Sequence, residues 1–429
     1  MTIDTHRADQ ARKQVANDSV AALAGKWSPG GPLVGEFYTS PKVFDHDLEV
    51  IFGRHWFFAT TEAQVREAGD YITLDFGPIS IMVLRDDDEQ MQAFHNVCRH
   101  RGAKILTDEQ GVVGNLVCGY HYWTYSTSGK LLHVPGAEAD FDPACFALKN
   151  VAVKVVGGLI YLCLASDPPA DIDSMAERIE PYLQGHQLDR TKVAAQQDIV
   201  ETGNWKLVME NNRECYHCEG HPELSSTFFL TYGLADDEVP TRLRPAHERY
   251  LLAESELELA CSQRGLRFER IEELVEPATA FRIQREALDG VGESFSLDGS
   301  LLCQRLMGDL DMPRLGRLSM HLQPNAWFHF MSDHAVTFAV FPLGPDRTMV
   351  RTTWLVHEDA VEGVDYDIDA LTYVWRETNA QDSEFVARAQ RGVSSPAYDP
   401  GPYMRSEYQV EAFVRWYLRR LEAHDTEAN

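Results

Sequence analysis

The sequence predicts an α+β fold of two unlike units: an antiparallel β domain, then a larger domain in which an antiparallel sheet is flanked by helices. Three observations carry that expectation. Short β-branched and aromatic runs, punctuated by Gly, Asp and Asn, crowd the stretch from Tyr71 to Leu164. Longer strand-like runs recur between Met320 and Val356. Helical apolar stripes close the chain.

Residues 1–45 read as a polar N-terminal arm that turns irregular at Trp27-Ser-Pro-Gly-Gly-Pro. Residues 46–168 read as the β domain, with strands at Tyr71–Leu74, Ile79–Leu84, Met91–Phe94, Leu116–Val117 and Leu159–Leu164, closing near Asp167-Pro-Pro. Residues 169–429 form the second domain. A helix is expected over Met175–Leu183, then successive antiparallel strands at Met320–Gln323, Trp327–Met331, Ala335–Phe341 and Thr348–Val356. In the last helix Val410, Phe413, Val414, Tyr417, Leu418 and Leu421 make a stripe that packs and does nothing else.

At 429 residues the chain can bury two or three cores, and 44% hydrophobic with 24% charged residues is ordinary for a globular protein. A net charge of -27 excludes a nucleic-acid or anionic-membrane surface and leaves room for a cationic substrate. Residues 1–25 carry no apolar signal core, and the most apolar stretch, Val151–Ala165, holds Lys154 and two glycines. Eight cysteines without a secretory signal read as thiols or metal ligands, which places the chain in the cytoplasm.

Cys98-Arg-His100 and Cys118-Gly-Tyr-His121 are the first constellation. A zinc finger takes both thiolates from one knuckle and both imidazoles from another. Here each loop offers one Cys and one His, which suits a two-iron cluster with cysteines on one iron and histidines on the other, the Rieske [2Fe–2S] arrangement. Structural zinc is the competing reading. His95 and His133 stand nearby without partners at ligand spacing.

The second constellation is Glu210-Asn-Asn-Arg-Glu214-Cys-Tyr-His217-Cys-Glu-Gly-His221-Pro. On a helix, Glu210, Glu214, His217 and His221 fall on one stripe, while Trp205, Val208, Met209 and Tyr216 fall on the packing side. The bland alternative is a solvated face with a chance histidine pair. His217 and His221 supply two thirds of a 2-His-1-carboxylate iron site, which leaves positions open for O2. Along the helix from Asp367 to Gln390, Leu371, Val374, Trp375, Phe385, Val386 and Ala389 make a buried stripe with Asp382 in its middle, whereas Glu377 and Glu384 face away. A carboxylate in a core needs a metal, a cation or strong donors, so Asp382 is the expected third ligand, with a buried salt bridge or cap as the competing reading. His321, His329 and His334 are fallback ligands.

Asn96–Gly102, Cys118–Tyr125, Asn204-Trp-Lys, Glu210–His217 and Asn379-Ala-Gln-Asp382 together resemble the Rieske non-haem iron oxygenases of α-subunit type over nearly the whole chain. Asn211–Cys218, Trp354–Asp365 and Tyr398–Tyr403 are most similar to the quaternary-ammonium branch, the glycine betaine members in particular. The resemblance implies a helix-grip catalytic domain carrying mononuclear Fe(II), O2 as co-substrate, and a separate flavin and iron–sulfur reductase fed by NAD(P)H. It also implies a head-to-tail homotrimer in which a carboxylate at the Glu214 position links the neighbour's cluster to the iron. Family members commonly have four residues between the iron histidines; this chain has three, with Gly220 and Pro222 marking a helix end.

The expected reaction is N-demethylation of a quaternary ammonium compound, glycine betaine first, with stachydrine, carnitine and choline as alternatives. An aromatic-ring dihydroxylating oxygenase and a redox Rieske protein with a vestigial second site are the other readings. Aromatic faces recognise a trimethylammonium group. The candidates are Phe228, Phe229, Tyr232, Trp327, Phe328 and Phe330; by strand alternation Trp327 shares a face with His329 and Phe328 with Phe330, so one pair faces the pocket.

Overall fold

In a computed structural model, which describes residues 20–232, 234 and 236–428, ten short strands build the first domain. They are β1 (Phe57–Thr61), β2 (Asp70–Phe76), β3 (Ile79–Arg85), β4 (Met91–His95), β5 (Gln110–Val112), β6 (Leu116–Val117), β7 (Thr124–Tyr125), β8 (Leu131–His133), β9 (Ala152–Val156) and β10 (Leu159–Cys163). They form three antiparallel sheets, ordered β4-β3-β2-β5, β1-β10-β9 and β6-β7-β8. The expected strands of this domain are all present. A separate apolar cluster containing Leu84, Phe94, Leu116 and Leu131 encloses Cys98 and Cys118.

The second domain is built on one seven-stranded antiparallel sheet. Its strands are β11 (Thr191–Glu201), β12 (Ile271–Glu273), β13 (Phe281–Glu286), β14 (Arg317–Leu322), β15 (Ala326–Phe330), β16 (Ala335–Gly344) and β17 (Arg347–His357), in the order β11-β17-β16-β15-β14-β13-β12. The period of two sorts β13 and β14 sharply. Arg282, Gln284 and Glu286 stand opposite His321, Ser319 and Arg317 on one face, while Leu318, Met320 and Leu322 enter the main core on the other. The helix Ile368–Val393 is capped by the Asp367 side chain and packs against β11 and the helix Trp205–Asn212.

The polar arm expected over residues 1–45 is corrected within its described part. Phe37, Tyr38, Val43 and Phe44 are buried in the main core, on helices Glu36–Thr39 and Pro41–Asp47; residues 1–19 lie outside the described residues. The apolar positions are adjacent to acidic and basic ones, so the mean composition hides them. Asp47 explains why the segment docks. Its fully buried carboxylate is ion-paired with the fully buried Lys206 ammonium and accepts from Trp205 Nε1 at 2.9 Å and from the Tyr417 hydroxyl at 2.6 Å. Lys206 also lies over the Trp205 and Tyr417 rings, at 5.0 and 5.2 Å. One carboxylate therefore joins the N-terminal segment, the helix before the histidines and the C-terminal helix.

Removing one partner of such a pair strands a buried charge. Asp47→Ala is expected to destabilise the chain by about 3–5 kcal/mol in denaturant unfolding, and Asp47→Asn by less, because the amide keeps an acceptor for Trp205.

Candidate active site

Two tight turns carry the Cys–His loops. Cys98 N–H donates to Ala103 O and Gly102 N–H to Cys98 O, with Gly102 at φ 75°; Cys118 N–H donates to Trp123 O and Tyr122 N–H to Cys118 O. The turns face each other, so both thiols are buried, whereas His100 is exposed and His121 half-buried. The two imidazoles are 4.6 Å apart between centroids, and His100 stacks on Trp123 at 4.9 Å. Two soft sulfur donors inside and two imidazoles at the rim are the donor set of a Rieske cluster, and the four residues fit it. Tyr125 Oη accepts from Arg99 N–H at 3.1 Å, which leaves its own proton for Cys98 Sγ at 3.3 Å.

The second constellation is not one helix. The helix ends at Asn212, Arg213 leaves it at ψ 0°, and the chain turns through a 3-10 segment, Cys218–Gly220. His221 is extended at φ -96° and ψ 100°, as the following proline requires. Tyr216, expected to pack, is 68% exposed, while Trp205, Val208 and Met209 are buried as expected. The turn nevertheless brings the expected donors together. His217 Nε2 and His221 Nε2 stand 3.2 and 3.3 Å from Asp382 Oδ1, and one ligand atom from each of the three lies within 4.8 Å of the others. Because His221 follows a turn, the three-residue spacing places no helical constraint on its ring.

The other imidazole nitrogens are held from behind. His217 Nδ1 meets Glu214 Oε1 at 2.6 Å, and His221 Nδ1 meets Gln381 Oε1 at 3.0 Å. Gln381 Nε2 in turn donates to Glu223 Oε2 at 3.1 Å, and the Thr378 hydroxyl to Glu223 Oε1 at 2.6 Å. Acceptors at both Nδ1 positions put the protons there and turn the Nε2 lone pairs toward Asp382. His221 Nε2 and Asp382 Oδ1 are buried without a hydrogen-bond partner. Burial resists charging His217, but Asp382 and Glu214 outweigh it and push its pKa up to about 10; burial also resists ionising Asp382, but the two imidazoles hold it down to about 2. The pocket thus demands positive charge at the point where three lone pairs converge, and the residues fit a divalent iron.

A cavity of about 680 Å³ opens from these three side chains onto the polar face of β13 and β14. His321 and His329 line it, held neutral by burial and by nearby arginines. His334 does not line it; it pairs with Asp333 at 2.9 Å, fully buried. Of the expected aromatics, Phe228 and Tyr232 line the cavity, joined by Tyr250, Phe295, Trp375 and Tyr408, while Phe229 packs on Tyr250 at 5.3 Å. Phe328 and Phe330 are corrected: His329 takes the cavity face of β15, so both phenylalanines enter the core, Phe328 against Phe58 at 4.8 Å and Phe330 beside His186 at 5.7 Å. Trp327 stacks on Phe338 at 4.8 Å and lines a small crevice shared with Glu201 and Asp382. Phe385 and Ala389, expected in the buried stripe, are exposed beside Glu214 and His217. Glu210 accepts from the Tyr38 hydroxyl at 2.8 Å and so helps to dock the N-terminal segment. Gln381 and Glu223 had no signal in periodicity; Gln381 is visible only as the neighbour of Asp382.

Residues 188–423 match the family described as ring hydroxylating alpha subunit (catalytic domain), and residues 55–153 match the Rieske [2Fe-2S] domain. The chain is 42% identical over 415 residues to a glycine betaine monooxygenase oxygenase subunit of Chromohalobacter salexigens, covering 95% of this chain and 91% of the relative. It is 40% identical over 395 residues to the protein of that name in Pseudomonas aeruginosa, covering 90% and 88%. Its fold is similar to crystal structures of CntA, a quaternary ammonium Rieske monooxygenase, at a TM-score of 0.68 and 19% identity, covering 93% of this chain and 97% of that one.

Two outcomes test this geometry. Gln381→Leu is expected to lower affinity for mononuclear iron about 10–100-fold, read by metal competition, with the visible spectrum of the cluster unchanged. Tyr125→Phe, by removing a hydrogen bond to a cluster sulfur, is expected to lower the cluster's reduction potential by some tens of millivolts in protein-film voltammetry.

Proposed function

Because the chain belongs to the Rieske oxygenases with a ring-hydroxylating α-subunit catalytic domain, we propose that it is the terminal oxygenase that removes an N-methyl group from glycine betaine. Members of this family are oxidoreductases that use a [2Fe–2S] cluster, mononuclear iron, O2 and electrons from NAD(P)H through a separate reductase. The observation that carries the reading is the convergence of His217, His221 and Asp382 at the end of a cavity, in a chain 40–42% identical to glycine betaine oxygenase subunits.

Cys98, His100, Cys118 and His121 hold the cluster in the unit 46–168, and His217, His221 and Asp382 hold Fe(II) in the unit 169–429. When bound, the iron supplies O2 activation with electrons drawn from the cluster. The protein's own part is positional. Gln381 and Glu214 fix the two imidazoles, and the cavity seats the N-methyl group beside the three ligands. Hydroxylation of that methyl carbon consumes O2, two electrons and two protons and yields water; the N-hydroxymethyl product then loses its proton and breaks its C–N bond, releasing formaldehyde and dimethylglycine.

A head-to-tail homotrimer is the assembly that fits two exposed surfaces. Val97, Val117, Tyr120 and Tyr122 leave apolar surface around the cluster loops. A concave patch lined by Glu210, Glu214, His217, Phe385 and Tyr403 gives them a counterpart. Glu214, in contact with His217 Nδ1, is the bridging carboxylate of that assembly. A flavin and iron–sulfur reductase supplies the electrons. Eight unbridged cysteines suit a reducing cytoplasm, and no helix among the described residues is long and apolar enough to cross a membrane.

The test is turnover with a surrogate reductase and NAD(P)H, offering glycine betaine, stachydrine, carnitine, choline and simple arenes. Formaldehyde matched to O2 is expected from glycine betaine; turnover of an arene alone contradicts the reading. Asp382→Ala is expected to bring turnover below detection with the Rieske paramagnetic signal intact, and Cys98→Ser to abolish that signal. Glu214→Gln is expected to keep both metals while uncoupling cluster oxidation from formaldehyde release.

A further inference from the structure

On the β13–β14 side of the cavity, away from Glu214 and Asp382, buried guanidinium groups outnumber the carboxylates that pair with them. Arg282 and Arg317, 3% and 7% exposed, share the buried Glu286, and Glu272 at the rim pairs with Arg282 Nε at 2.9 Å. Arg213, also buried on this cavity, is held by neutral acceptors: Asn212 Oδ1, Leu322 O, Gln323 Oε1 and Ala326 O. Among these groups, three buried guanidiniums meet two carboxylates, Glu286 and Glu272, and an unmatched buried charge calls for a counter-charge.

Arg317 is where that counter-charge has room. Arg282 is spent on Glu272, Glu286, Gln284 and the Tyr232 hydroxyl. Arg317 makes its hydrogen bond through Nε, to Glu286 Oε2 at 2.5 Å. Its two η nitrogens have no hydrogen-bond partner among the described residues and are open to the cavity. Phe228, Tyr232 and Phe295 surround the guanidinium at 5.3, 5.4 and 5.4 Å, and Phe295 packs at 5.1 Å on Trp375, which shares a helix with Asp382. Those three rings are occupied in holding an arginine, so they are not an empty cage for a trimethylammonium group.

We propose that the η edge of Arg317 receives a carboxylate of the substrate, making the site selective for zwitterionic ammonium compounds over methylated cations that lack an acid group. The proposal rests on the demethylation reading and adds the residue that reads the substrate's second charge. A charge-assisted guanidinium–carboxylate pair in a closed cavity is worth about tenfold to a hundredfold in affinity.

The experiment is calorimetric titration of the metal-loaded protein with glycine betaine, its primary amide and choline, together with a formaldehyde assay on glycine betaine. The amide and choline are expected to bind about tenfold to a hundredfold more weakly than glycine betaine. Arg317→Gln, checked for wild-type iron content and cluster spectrum, is expected to lower glycine betaine affinity to that of the amide while leaving the amide unchanged. Should that variant fail to fold, the three-ligand comparison on the wild-type protein decides alone. Formaldehyde from glycine betaine with equal binding of its amide overturns the Arg317 assignment and leaves the demethylation reading standing. A betaine-over-amide preference that survives in a folded Arg317→Gln does the same. Binding of none of the three overturns both.

Discussion

The proposed iron site turns on one carboxylate oxygen held between two imidazoles. Asp382 Oδ1 is buried, lies 3.2 and 3.3 Å from two imidazole nitrogens, and is given no hydrogen bond by the fold. Such a group is expensive unless a cation completes it. The cost is imposed deliberately: Glu214 and Gln381 occupy the outer nitrogens, so neither imidazole can satisfy Asp382 by presenting a neutral N–H while keeping its own partner. The site therefore calls for positive charge between these groups, which imidazole protons supply in the polypeptide alone and which a divalent cation would supply in their place.

The scaffold keeps that arrangement in register. Asp382, Gln381 and Thr378 come from one helix packed on the sheet, and Glu223 ties that helix to the turn carrying both histidines. Lys206, on the short helix leading into the turn, is locked to Asp47. The turn itself has little regular structure, so its precision is borrowed from these two anchors. The same economy appears across the cavity. The alternation of β13 and β14 gives their inner face to the core and their outer face to a network of arginine, glutamate and tyrosine that no solvent-facing sheet would need.

How much of this was legible in the sequence follows from where the signals come from. Cys98, His100, Cys118 and His121 are local pairs on short turns, so residue type with spacing was enough to expect that they come together, as they do. His217, His221 and Asp382 converge as expected, but the helix expected through the histidines is replaced by a turn, because Cys218-Glu-Gly-His-Pro favours a turn over a continued helix. β11 went unseen because its eleven residues show no alternation of type: half-buried positions carry Lys192 and Gln197, buried Glu201 is an acid, and exposed Val200 is apolar. The helix Arg244–Arg264 went unseen because Leu251, Leu252 and Leu259 are exposed and leave no stripe. The lining of the cavity was missed for a different reason. Aromatic residues were sought on β15, where alternation allowed either face; the cavity instead borders the polar face of β13 and β14, legible in Arg282, Gln284 and Glu286 alternating with Phe281 and Ile283.

Charge then separates this cavity from one built for an arene: its sheet wall is ionic, His321 and His329 on that wall are neutral, and Asp382 at the far end is ionised. In the proposed reaction a cluster-borne electron is coupled, within the assembly, to oxidation of an N-methyl carbon at the His217–His221–Asp382 site. The most direct measurement is a single turnover without any reductase, mixing the chemically reduced, iron-loaded protein with O2 and glycine betaine. Formaldehyde stoichiometric with the cluster reoxidised is the predicted result. Reoxidation of the cluster without formaldehyde, in protein shown to hold mononuclear iron, would contradict it.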